Sequence, residues 1–162
     1  MMRSCVALLL GASLSASAWA QSKPPLFDIS VEAVVITAGP YGEFWDLKID
    51  QQANARVEVW WRNWPPGNME GSFLLNTDDV EKIAVVAEKA DFFALPAKMH
   101  PRGVMSLHAP DFRLQMMVRG RSHKVELYQP NQVEDRAQVD RFMTVWNAVF
   151  DLLPSRLRPT VK

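Results

Sequence analysis

Four residues between Ala97 and Asp111 carry side chains able to hold a soft metal: Met99, His100, Met105 and His108. Two thioethers and two imidazoles form a donor set suited to copper, because sulfur ligands select soft ions and imidazole serves most transition metals. The opposing reading is structural, a proline-bent loop whose flexible methionines plug gaps against the core while the histidines stay in water. His123 stands apart at an inward-facing strand position, which suits a hydrogen-bonded core or edge histidine better than a ligand.

A second group is aromatic: Tyr41, Phe44, Trp60 and Trp64, with Arg62 among them. They fall on the first turn, on outward strand positions and on the loop that follows. Together they offer a platform for a sugar ring, a lipid or a partner protein, since contiguous exposed apolar patches mark interaction sites. If a neighbouring loop covers them, they form a satellite core instead.

Catalytic patterns are sparse. Ser106 and His108 lack the strand-turn-helix setting of a Gly-x-Ser-x-Gly nucleophile, and the chain has neither a Gly-rich phosphate loop nor a His-Glu-x-x-His motif. Adjacent Asp78 and Asp79 are accounted for by a helix start. These observations favour a non-catalytic domain without a cofactor, binding a protein or cell-envelope component. The alternatives are a copper-binding protein using the Met/His loop and a hydrolase whose acid/base groups come together only in the fold.

The compartment follows from the first twenty residues. Arg3, an apolar run from Val6 to Leu14 and the small-x-small sequence Ala18-Trp19-Ala20 have the pattern of a signal peptide cut after Ala20, so a periplasmic or secreted location is expected. The apolar run is too short for a permanent span, and no later segment approaches the ~20 apolar residues that one requires. Cys5 is the single cysteine. It lies inside the signal, so the mature chain is expected to have no disulfide, thiolate nucleophile or cysteine-bound metal. One of the 18 basic residues, Arg3, is also lost, leaving 17 against 18 acidic. That balance, without a basic stripe, argues against nucleic acid as a partner.

The elements that must position these residues follow from hydrophobic periodicity. After a linker over 21–28, Ile29, Val31, Ala33 and Val35 alternate as a first strand, closed by the turn Gly39-Pro40-Tyr41-Gly42. Trp45, Leu47 and Ile49, then Val57, Val59 and Trp61, predict a hairpin. Facing Ile49 with Val57, Leu47 with Val59 and Trp45 with Trp61 also sets Lys48 opposite Glu58 and Asp50 opposite Arg56, so apolar and charge patterns favour the same register. Phe73 to Leu75 follow as either a short fourth edge strand or an extended approach to the next element. Thr77 is the expected N-cap of an amphipathic helix bearing Val80, Ile83, Ala84, Ala87 and Ala90 and ending near Asp91. A second hairpin turns at Gly120-Arg121, pairing Val118 with His123, Met116 with Val125 and Leu114 with Leu127. Asn131 with Glu134 suggests the cap of a last helix, whose stripe is Val139, Phe142, Val145, Trp146, Val149 and Leu153.

The expected architecture is α+β: an antiparallel sheet, made of a three-strand meander plus a hairpin, with two amphipathic helices on one face. A single domain would cover 29–153, followed by a flexible basic tail over 154–162 containing Arg156, Arg158 and Lys162. This order of elements, with a helix ending in Asp91-Phe92-Phe93-Ala94-Leu95, resembles a family of small exported bacterial domains of unknown function, over roughly Ile29 to Leu153. Members of that family often carry two cysteines in the first turn, where this chain has Ala38 to Gly42. The resemblance therefore implies a fold and an exported life, with no redox or metal role and no activity attached.

Overall fold

A computed structural model describes residues 28–37, 42–61, 68–103, 106 and 108–158. Its seven strands are β1 (Ile29–Ile36), β2 (Glu43–Ile49), β3 (Asn54–Trp61), β4 (Met69–Leu74), β5 (Lys98–Met99), β6 (Asp111–Val118) and β7 (Arg121–Tyr128). Helix α1 (Thr77–Lys89) lies between β4 and β5, and α2 (Arg136–Asp151) follows β7. The strands form one sheet in the order β4-β3-β2-β1-β6-β7-β5, antiparallel except where the two-residue β5 runs parallel to β7. The α+β class and the placement of both helices on one face are as expected. What periodicity did not indicate is the join at the centre, where β1 pairs with β6 along its full length, from Ile29 opposite Val118 to Ile36 opposite Asp111.

The alternation along each strand separates two faces. The inner face carries Ile29, Val31, Ala33, Val35, Trp45, Leu47, Val57, Val59, Leu114 and Met116, all buried. Helix α1 adds Val80, Ile83, Ala84 and Ala87, and α2 adds Val139, Phe142, Val145, Trp146 and Val149. An aromatic cluster lies between the layers: the Trp45 ring is 4.3 Å from Phe150, and Trp146 is 4.5 Å from Phe150 and 5.1 Å from Phe112.

Both hairpin registers differ from the expected ones by two residues. In the first, Ile49 faces Ala55, Leu47 faces Val57, Trp45 faces Val59 and Glu43 faces Trp61. Asp50 closes the turn: its carboxylate accepts from the backbone N–H groups of Gln52 and Asn54 at 2.8 and 2.9 Å, and its own N–H donates to the Asn54 carbonyl at 3.0 Å. Three residues suffice for the loop because Ala53 takes a left-handed conformation, φ 62°. In the second hairpin Arg119 and Gly120 are the central residues, with φ of 50° and 75°. Two left-handed residues give a turn whose twist matches the strands, and it pairs Val118 with Arg121, Met116 with His123, Leu114 with Val125 and Phe112 with Leu127. A two-residue slip keeps every side chain on its face, so the core is unaffected while the partners change.

The helix caps also lie elsewhere. Asn76, not Thr77, caps α1, accepting from the Asp79 N–H at 2.7 Å. Asp135, not Asn131, caps α2, accepting from Gln138 N–H at 3.1 Å, because Pro130–Gln132 forms a separate 3-10 turn. The Asp91 to Leu95 segment links the layers: Asp91 is left-handed, Phe92 and Leu95 are buried, and the Leu95 carbonyl lies 2.8 Å from His123 Nε2. His123 is thus a hydrogen-bonded, half-buried histidine with its ring edge-on to Phe92.

The C-terminal segment does not leave the body of the protein at Pro154. Ser155–Leu157 forms a 3-10 turn, Leu157 is buried, and its carbonyl accepts from the Trp45 Nε1–H at 2.7 Å. Gly71 on β4 makes room for it, since a Cβ there would lie 2.7 Å from Leu157 Cδ1. Arg158 donates to the Leu153 carbonyl at 2.9 Å. The rest of the expected flexible tail lies outside the described residues.

Candidate binding surface

The outer face of the sheet carries none of the described helices, and the aromatic candidates lie at one end of it. Phe44 on β2 and Trp60 on β3 stand directly opposite one another in the register, 37% and 49% exposed. Few large apolar residues in the described part are so open, and direct cross-strand neighbours have Cβ atoms about 5 Å apart. Ile36 of β1 continues the row beside Phe44 and is half-buried. Tyr41, Arg62 and Trp64 lie outside the described residues.

The next row along the same face is acidic. Asp46 lies opposite Glu58, and Glu58 opposite Glu70. The row after that sets Lys48 opposite Arg56. Like charges therefore face one another across the strands, where opposite charges were expected, and neutralisation runs along and diagonally between strands. Lys48 Nζ lies 3.5 Å from both Asp46 Oδ2 and Glu32 Oε1. Arg56 Nη2 lies 2.9 Å from Glu58 Oε1 and 2.8 Å from Glu70 Oε1. Burial pushes the Asp46 carboxyl above the usual carboxylate range; Lys48 opposes this, while Glu32 and Glu58 add to it. Asp46 Oδ1 is shielded from solvent and has no hydrogen-bond partner among the described residues. This acidic row was missed in the sequence because it exists only in the observed register.

The Met/His set is only partly described. Met99 is buried and His100 exposed, its ring 6.0 Å from Tyr128. Both line a cavity of about 170 Å³, together with Lys98, Arg102, Glu134 and Asp135, where Arg102 Nη1 lies 3.5 Å from Glu134 Oε2. His108 is exposed and does not line that cavity, and Met105 lies outside the described residues. Among the described residues no group of three or more His, Cys, Asp or Glu side chains is placed to hold a metal. Ser106 Oγ accepts from the His108 backbone N–H at 3.4 Å, and the Ser106 carbonyl accepts from the Tyr128 hydroxyl.

Among the described residues no helix is long and apolar enough to cross a membrane. Compared with protein-family models and with curated proteins, the chain matches none.

Proposed function

We propose that this chain is an exported, non-catalytic domain that binds a protein or cell-envelope component through the outer face of its sheet. The observation that supports this reading is the exposure of Phe44 and Trp60 side by side on a sheet face that the described helices leave open. Fully burying a large ring contributes about 1.5–3 kcal/mol, and the 37% and 49% of Phe44 and Trp60 still open leave a part of that available to a complex. The resemblance to small exported bacterial domains fits export, with the N-terminal twenty residues serving as the signal. Tyr41, Arg62 and Trp64, which lie outside the described residues, stay in this reading as candidates from the sequence alone.

The test is co-sedimentation of the purified mature protein with envelope fractions, comparing wild type with a Phe44→Ser/Trp60→Ser variant. Saturable retention that the variant loses at an unchanged melting temperature supports the surface. Equal retention by both proteins refutes it. N-terminal sequencing of protein from the periplasmic fraction checks export, with Gln21 the expected first residue.

A further inference from the structure

Resting on the binding surface just proposed, we infer that its partner presents a basic extended peptide segment, a Lys or Arg side chain lying along Phe44 and Trp60 with its cationic head at Asp46 and Glu58.

The charge count on the outer face of β1 to β4 favours a cation. The described strand residues there include four carboxylates, Glu32, Asp46, Glu58 and Glu70, against two cations, Lys48 and Arg56. Each cation is already divided between two of the acids. Two negative charges remain in excess on the face. Anionic ligands such as acidic lipid or phosphate headgroups meet repulsion on this face.

The geometry selects a long side chain with an apolar stem. Phe44 and Trp60 precede Asp46 by two residues and follow Glu58 by two on the same face. At about 3.3 Å per strand residue the aromatic and acidic rows are therefore about 7 Å apart. That is about the reach of a Lys or Arg stem, which lays its methylenes on apolar surface and keeps its head at polar groups. While crossing the row, the head passes within the ~6 Å of a tryptophan face at which cation–π attraction operates. A compact cation would satisfy only one row, and an uncharged apolar peptide would leave the net negative charge of the face unbalanced.

The experiment is an NMR titration of the full mature protein, following the Trp60 indole N–H, with three pentapeptides: Gly-Arg-Gly-Arg-Gly, its glutamate counterpart and its norleucine counterpart, all with blocked ends. The Arg peptide should shift the signal saturably and lose affinity as salt rises. It should bind at least fivefold more weakly to Asp46→Asn/Glu58→Gln, and the other two peptides should bind at least tenfold more weakly to wild type. If the norleucine or glutamate peptide binds as well as the Arg peptide, or the Asn/Gln variant binds the Arg peptide normally, the basic-partner inference is overturned. The aromatic surface then still stands, provided that Phe44→Ser/Trp60→Ser loses envelope binding. Absence of any Arg-peptide binding overturns the inference as well. A Ser/Ser variant that retains envelope binding removes the reading beneath it.

Discussion

Replacing Trp45 by phenylalanine tests whether the C-terminal segment is part of the domain's stability. The indole N–H donates to the Leu157 carbonyl over 2.7 Å in a buried setting, joining residues 112 positions apart in sequence. Phenylalanine keeps an aromatic ring near Phe150 but removes the donor. A buried carbonyl left unsatisfied costs about 1–2 kcal/mol and the smaller ring about 1 kcal/mol, so a loss of about 2–3 kcal/mol is expected. Part of that arises only because the carbonyl is held in place by Leu157, which is 3% exposed. In a chain ending at Pro154 the carbonyl is gone, and Trp45→Phe should then cost about 1 kcal/mol for the smaller ring alone. Urea unfolding of the four proteins, followed by far-UV circular dichroism, gives the coupling directly. A coupling of about 1–2 kcal/mol is expected; additivity within about 0.5 kcal/mol would refute the argument.

Other predictions follow from the same contacts. Gly71→Val forces its new Cβ against Leu157 and should cost about 1–3 kcal/mol, with Leu157→Ala in the same chain recovering part of the loss; independent effects would show that the close approach is immaterial. Arg141 donates from Nε to the Ala90 carbonyl at 2.7 Å and from Nη2 to Asp91 Oδ2 at 2.8 Å, tying α2 to the end of α1. Arg141→Ala should therefore lower stability by about 1.5–3 kcal/mol, and Arg141→Lys should recover little because a lone ammonium cannot span both acceptors. A thermal melt of Arg141→Lys indistinguishable from wild type would contradict that. The Asp46 carboxyl is raised in the folded state, chiefly by burial, so as pH climbs the unfolded chain releases its proton first. Stability is then lost as pH rises from the unfolded value to the folded one, and Asp46→Asn escapes the loss. Melting temperatures should favour Asp46→Asn over wild type more at pH 7 than at pH 3; the reverse trend would mean that the ion pair with Lys48 outweighs burial.

Hydrophobic periodicity was enough to determine the core faces of the main strands and both helices. Period two in Ile29 to Val35, Trp45 to Ile49 and Val57 to Val59, and helical spacing from Val80 and Val139 onward, assign faces locally, because a side chain's face depends only on its position within its own element. The α+β class and the exposure side of Phe44 and Trp60 follow from that. Pairing is different. The charge pattern favoured Lys48 opposite Glu58, but the Asp50 turn and the left-handed Ala53 set the register two residues tighter. Surface ion pairs contribute only about 0–1 kcal/mol and long side chains reach diagonally, so they could not oppose a closed turn. The acidic row beside the aromatic pair exists only as a result of that register. The full-length pairing of β1 with β6 and the docking of Leu157 on Gly71 and Trp45 likewise join residues far apart in sequence. No local pattern encodes such contacts, and the packing of the whole chain alone decides them.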